Sequence, residues 1–344
     1  MRQRYLSIKM TISPLVLILI LVCGGLKAQN KEMMSNYQSD INDLFIQVFS
    51  TENKDNERYN ANEQVMNILE EALLQPKSFK WDWKLNKAVS VLTSDDDKFR
   101  VFTWTVLNDW GEHECFGYMQ VYNENADVYE ICALRDKSEE IFNPEEVVLS
   151  DNAWYGMVYT HLITTKYEGK YFYTLIGWNG GNSIVQRKVI EPVSFKRNST
   201  RPTFGSLMFR NGKNGNKNLR RIIFRYAKDV NINVQYDEQY IVSMERIKVK
   251  KDKRTVTQEI DRENKAQMIV FDQVGPRVPG MEGMYQYYVP TGQESGYSFE
   301  NGRWVLKQNV RCRLEENKKR DEAKPLKKKN PRYMVNKSVQ EKEK

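Results

Sequence analysis

Few residues of this 344-residue chain have types and spacings that could do chemistry. His113 and His161 are its two histidines. His113, Glu114 and Cys115 are contiguous, and on a strand His113 and Cys115 share a face, as a small metal or thiol site would need. The spacing matches no zinc-ligand or cysteine-hydrolase pattern, so a strand-edge histidine beside a buried cysteine is the simpler reading. His161 has no acidic neighbour within a turn and reads as a hydrogen-bonded sheet residue. Carboxylates are plentiful, among them Asp109, Glu112, Asp151, Glu168, Glu191, Asp237, Glu238 and Asp272. A glycoside hydrolase needs two of them at a set separation across a cleft, which linear order does not show. No G-x-S-x-G elbow, P-loop, H-E-x-x-H or EF-hand run occurs, so no catalytic residue is assigned and no metal or cofactor is expected.

Cys115 and Cys132 form the candidate disulfide. A turn at Asn123-Glu124 sets them directly opposite, which permits a bridge, whereas a turn at Glu124-Asn125 offsets them diagonally, too far for one. Cys312 is left over in either case, so the body must be held by its core rather than by a disulfide framework. Tryptophans are the remaining signal. At strand spacing most belong in a core, but Trp81, Trp83 and Trp110 lie near element ends, where rings can serve as stacking platforms for sugars or protein partners.

The elements that must position these residues follow from periodicity. Residues 1–28 read as an export signal: Arg2, Arg4 and Lys9 precede an apolar stretch from Leu15 to Leu26, with a small residue, Ala28, at the cleavage position. A lipoprotein alternative would acylate Cys23, but Val22 before it is bulkier than that site prefers. No other stretch is apolar for long enough to cross a membrane as a helix. The chain's net +8 includes +4 from residues 1–28 and +7 from residues 311–344, which leaves −3 on the body between them. A mildly acidic body argues against nucleic-acid binding.

Residues 29–78 carry two helical stretches, Ile41-Leu44-Phe45-Val48-Phe49 and Val65-Ile68-Leu69-Ala72-Leu73. Ser35 or Ser39 is the expected cap of the first and Asn60 or Asn62 of the second, with Pro76 as its stop. From 79 to 314 the period changes to two. Thirteen strand-like runs, two of them in one hairpin, are joined by turns short enough for antiparallel neighbours, with one helical turn expected at Asn143-Pro144-Glu145-Glu146. Lys170–Ile190 reads as a hairpin. Its turn is Asn179-Gly180 or Asn179–Asn182, and both options put Phe172, Thr174, Ile176 and Trp178 on one face with Val185 and Val189. Asn211–Asn218 and Gly275–Gly283 read as loops, Ser243–Lys265 as a charged protruding ribbon or helix-like excursion, and 315–344 as a basic disordered tail. The expected fold is thus α+β and mostly β: a helical hairpin followed by a large antiparallel meander, sandwich-like or barrel-like.

The runs FRVFTW (Phe99–Trp104), YFYTLIGWNGGN (Tyr171–Asn182), RIIFRYAKDVNINVQYDE (Arg221–Glu238), IVFDQVGPR (Ile269–Arg277) and FENGRW (Phe299–Trp304) resemble a group of exported, signal-peptide-bearing bacterial proteins with no assigned activity. The resemblance spans most of Phe79 to Arg313 and implies export and a shared β-rich body. Together these readings point to a periplasmic or secreted protein of the cell envelope that binds a protein or glycan partner. An exported, carboxylate-dependent hydrolase and an outer-membrane β-barrel are the alternatives.

Overall fold

The computed structural model describes residues 14–210, 219–251 and 254–308, with side chains described for 29–210, 219–239 and 265–307. The expected loop Asn211–Asn218 and the tail 315–344 lie outside the described residues. Two helices, α1 (Pro14–Val48) and α2 (Asp55–Leu74), precede the strands. The first is continuous through residue 28, and Ser35 and Ser39 lie inside it rather than capping it. The second starts earlier than its asparagines suggest. The Lys54 amide donates to Glu57 Oε2 at 2.9 Å, and Asp55 and Glu57 occupy the positive end of the helix dipole. Asn62 is therefore interior, and its side-chain oxygen accepts from Trp104 Nε1 at 2.6 Å. The helix stops at Leu74, before Pro76.

The strands are β1 (Ser90–Thr93), β2 (Phe99–Leu107), β3 (His113–Asn123), β4 (Val128–Arg135), β5 (Leu149–Ser150), β6 (Val158–Tyr167), β7 (Lys170–Asn179), β8 (Val185–Phe195), β9 (Pro202–Phe204), β10 (Phe209–Arg210), β11 (Ile222–Ala227), β12 (Val234–Lys251), β13 (Arg254–Pro276), β14 (Tyr288–Glu300) and β15 (Arg303–Gln308). They form three sheets. The first runs β1-β2-β3-β4; the middle one β5-β9-β8-β7-β6, with β11 also on β8; the third β10-β15-β14-β13-β12. Pairing is antiparallel throughout, except for the two-residue parallel contact of β10 with β15. Among the described residues all three sheets are open, and none closes into a barrel. No helix among the described residues is long and apolar enough to cross a membrane.

Strand alternation sorts the core into layers. Phe102, Trp104 and Val106 of β2 face the helices and pack with Phe45, Val65 and Leu69. Their neighbours Phe99 and Val101 point the other way, onto Tyr159, Leu175, Val189 and Val193 of the middle sheet. The opposite face of that sheet, with Ile176 and Ile190, packs on Ile269, Phe271, Tyr297 and Trp304 of the third. Helices and three sheets thus stack in order, each interior sheet being apolar on both faces, which is why its strands carry few runs that are polar on one side.

Several expected boundaries move. Asn143–Glu146 is a single turn, closed by Glu146 N–H to Asn143 O at 2.9 Å, with Asn143 at φ 49°. Asn231–Tyr236 and Tyr240–Lys250 merge into β12, which pairs with β13 from Val234–Phe271 out to Lys251–Arg254; beyond the Met268–Ser298 pair of β13 with β14 the two continue as a long two-stranded ribbon. The β3–β4 register places Asn123 opposite Val128 and Cys132 opposite Met119, so Cys132 is four positions from the partner of Cys115. Neither expected register is realised, and both cysteines are free and buried. In the central hairpin Trp178 lies opposite Lys188 and Ile176 opposite Ile190, with a loop from Gly180 to Ile184 in place of a tight turn. That register differs from the expected one by an odd number of residues. Every β8 side chain therefore exchanges faces, and Val189 sits with Leu175 in one core while Ile190 sits with Ile176 in the other.

Candidate functional site

The lengthened hairpin loop does more than connect strands. It meets the β2–β3 turn and the segment after β4, and the three together enclose a polar cleft of about 260 Å³. Its deep wall is built on Asp136. One carboxylate oxygen of Asp136 accepts the Cys115 amide at 3.0 Å, and the other accepts the Ser138 amide at 2.9 Å, the Ser138 hydroxyl at 2.5 Å and the Gly156 amide at 3.2 Å. A side chain at Gly156 would overlap that carboxylate, so glycine is required there. Asn179 ties the hairpin to the same wall, donating to Gly156 O at 2.6 Å and to Cys115 Sγ at 3.5 Å while accepting from Gly181 N at 2.6 Å. The His113 amide donates to Gly181 O at 2.8 Å, joining the first sheet to the loop.

Asp136 and three of the four glutamates in the lining accept from donors. Glu112 accepts from Asn108 Nδ2 at 2.9 Å, Glu139 from Arg187 at 2.5 Å and Glu140 from Lys137 at 2.7 Å. The Tyr59 hydroxyl is raised above its usual pKa, first by burial and then by the Glu114 charge. Arg187 also donates to Tyr155 Oη at 2.9 Å and lies over that ring. Burial works against its charge, but Tyr155 and Glu139 outweigh it and hold the guanidinium above its usual pKa. The His113 ring is half-buried between Trp178 and Gly180, and burial, with the Lys228 ammonium nearby, pushes it down to about 4. It is a neutral imidazole at neutral pH. The Cys115 thiol is raised well above its usual range, by burial first and the Asp136 charge second, so it is no nucleophile.

The loops that supply the lining also carry exposed apolar side chains that stand outside it. Trp110 is 77% exposed, Ile184 56% and Phe142 89%. Each stands on one of the three loops that form the cleft: Trp110 between the lining residues Asn108 and Glu112, Ile184 two residues after Asn182, and Phe142 two after Glu140. The Asn108 side chain rigidifies the Trp110 loop, accepting from the Trp110 and Glu112 amides at 3.0 and 2.8 Å.

The three tryptophans singled out by sequence separate here. Trp83 is buried against Phe102, and Trp81 is half-buried with its Nε1 on Gln38 at 3.2 Å, so both belong to the helix–sheet layer. Trp110 alone of the three is an open ring. His161 takes no part, its Nδ1 lying 3.0 Å from Thr160 Oγ1. The other carboxylates scatter. Asp109 pairs with Arg58, Asp151 with Arg201, Glu191 with Arg221 and Glu238 with Lys265, while Asp272 accepts the Asn233 amide. No group of three His, Cys, Asp or Glu side chains suited to a metal occurs among the described residues. Sequence reading missed Asp136, Ser138 and Arg187. The Asp136-Lys137-Ser138 spacing is that of a side chain capping the backbone two residues on, the one local sign that was available. Comparison with protein-family models, curated proteins and solved structures found no match.

Proposed function

We propose that this chain is an exported, envelope-associated binding protein and that the Trp110 cleft takes a glycan segment. The observation that carries this reading is the combination of exposed apolar side chains on the three loops that supply the cleft with a wall of fixed amides and charges of both signs. Sugars offer an apolar ring face to an aromatic side chain and hydroxyls to polar groups; the polar groups line the cleft, and the open Trp110 ring is on one of the loops that supply it. Engagement of Glu112, Glu139 and Glu140 by donors supports binding over catalysis. A glycosidase acid needs a carboxyl kept protonated by a poorly solvated setting, and a partner cation or donor works against that. Export rests on residues 1–28 and on the resemblance of the body to signal-bearing bacterial proteins.

The test is titration of envelope polysaccharides and their oligomers into the full chain with tryptophan fluorescence as the readout. Trp110→Ala should weaken binding by about tenfold or more, about 1.4 kcal/mol, with an unchanged melting temperature. Equal binding by wild type and variant would remove the cleft from the reading. The five carboxylates lining the cleft favour hydrolysis as the second reading. Turnover of chromogenic glycosides that disappears in Glu112→Gln or Glu139→Gln would replace binding with catalysis.

A further inference from the structure

A second concavity opens at the other end of β7. Tyr171, Phe172 and Tyr173 line it, whereas Asn179 lines the polar cleft, so the two sites lie roughly 25 Å apart along the strand at about 3.3 Å per residue. It measures about 470 Å³, within the range of roughly 300–1,000 Å³ typical of small-molecule sites. Its walls come from the start of β7, the end of β8, the β9–β10 connection and the β14–β15 turn. The two sites are opposite in chemistry. The polar cleft has five carboxylates in its lining, and this groove has none.

Apolar surface is left open here. Tyr171 is 46% and Leu207 42% exposed, and Phe172 and Phe195 are half-buried. The groove's charges are Lys98 and Arg303. Lys98 is already committed, its ammonium donating to Tyr122 O at 2.9 Å and to Glu124 at 3.0 Å. Arg303 is exposed and donates to Leu207 O at 3.3 Å, and no carboxylate among the described residues pairs with it. The Tyr173 hydroxyl donates to Asp96 at 2.6 Å and so adds no open donor. The groove therefore combines an apolar floor with one exposed guanidinium that no carboxylate of the lining pairs with.

We propose that this groove binds a small amphipathic anion, an alkyl chain or aromatic ring bearing a single carboxylate, with its apolar body on Phe172, Phe195 and Leu207 and its carboxylate on Arg303. Covering those side chains removes apolar area from water at roughly 25 cal/mol per Å². A guanidinium accepts a carboxylate through two parallel hydrogen bonds, which fixes the ligand's direction in the groove. A cationic amphiphile of the same length would find no acid in the lining and would meet Arg303 as a like charge.

Isothermal titration of the full chain with decanoate, below its micelle concentration, tests this against decyltrimethylammonium as the cationic control and naphthoate as the ring-bodied probe. Decanoate should bind with one-to-one stoichiometry and at least about tenfold more tightly than the cation. Arg303→Gln should weaken decanoate by at least about fivefold, Arg303→Lys by less, and Leu207→Asp should abolish binding, with thermal melts confirming that each variant folds. Trp110→Ala should leave decanoate binding unchanged, which separates this groove from the polar cleft. Naphthoate binding without decanoate binding would assign the groove to rings alone within the same class. Equal binding of decanoate and decyltrimethylammonium, an unchanged decanoate affinity in Arg303→Gln, or no saturable binding of either anion would overturn the proposal.

Discussion

The imidazole of His113 lies directly against the α-carbon of Gly180, with no space between them for a methyl group. Gly180 does not have the positive φ of a tight turn, a role that falls to Gly181 at φ 60°. Its glycine is demanded by a neighbour from another sheet. The Lys228 ammonium donates to Gly180 O at 2.8 Å, so the same residue brings a positive charge close to the imidazole. One contact thus sets the seat of the hairpin loop and the charge state of the histidine beside the cleft.

Gly180→Ala should destabilise the chain by about 1–3 kcal/mol through overpacking against the ring. In a His113→Ala background the same change should cost less than about 1 kcal/mol, because the clashing atoms are gone. Urea melts of the four-member cycle measure the coupling. A cost that stays the same in both backgrounds would place the strain elsewhere in the loop.

His113 also predicts a pH dependence. Its folded-state pKa is pushed down to about 4, by burial first and by Lys228 second. The unfolded chain takes up the proton near the free-histidine value of about 6.5, while the folded chain resists it. Stability present above about pH 6.5 is therefore lost as pH falls towards 4. Because the ring keeps substantial solvent contact, the loss is on the order of 1–2 kcal/mol rather than the full linkage value. His113→Asn should show a shallower fall than wild type between pH 7 and 4, with the carboxylate contributions common to both. Parallel curves would remove the histidine from the account.

Local chemistry made much of the fold legible. Glu168-Gly169 and Asn301-Gly302 have φ of 48° and 77°, and of 50° and 75°, so these pairs are two-residue turns wherever the chain places them. Ile41, Phe45 and Val48 mark a helix face for the same local reason. Asn179-Gly180 carries an identical signal and does something else. Asn179 spends its side chain on Gly156 and Cys115, and Gly181 O is bound by the His113 amide, so contacts remote in sequence override the turn. The single open platform was legible only as one of three. Trp81, Trp83 and Trp110 look alike as residues near element ends, and only the packing of α1 and α2 over the first sheet separates them. Asp136 and Arg187 had no motif, because their partners come from other loops.

Asp136→Asn should loosen the cleft without collapsing the fold. The carboxylate accepts backbone amides of Cys115, Ser138 and Gly156, and an asparagine must turn its NH₂ group towards at least one of these donors. One buried amide left unsatisfied, together with lost charge assistance, costs about 2–4 kcal/mol. Hydrogen exchange should quicken at the Cys115 and Gly156 amides in particular. Unchanged protection there would contradict the clasp.

A fully buried ion pair lies outside the lining of both clefts. Glu191 and Arg221 have 0% side-chain exposure and meet at 2.5 Å. Tyr159 Oη donates to the second Glu191 oxygen at 3.2 Å and accepts from Trp154 Nε1 at 2.7 Å, while Arg221 also reaches the carbonyls of Pro144 and Val147. Burial raises the Glu191 carboxyl, and the guanidinium and the Tyr159 hydroxyl pull it back. Arg221→Met removes the compensation and leaves an acid in an apolar layer, at a cost of about 3–5 kcal/mol. That acid then escapes its penalty by taking up a proton, so the variant should regain stability as pH falls from 8 towards 5, opposite in sign to the His113 effect. Adding Glu191→Gln to Arg221→Met should recover much of the loss at neutral pH and remove the regain at low pH, because no buried carboxylate remains. Denaturant midpoints for wild type, both single variants and the double variant at pH 5 and 8 decide the matter. An Arg221→Met variant equally unstable at both pH values would mean that the loss comes from the freed Pro144 and Val147 carbonyls and not from the stranded charge.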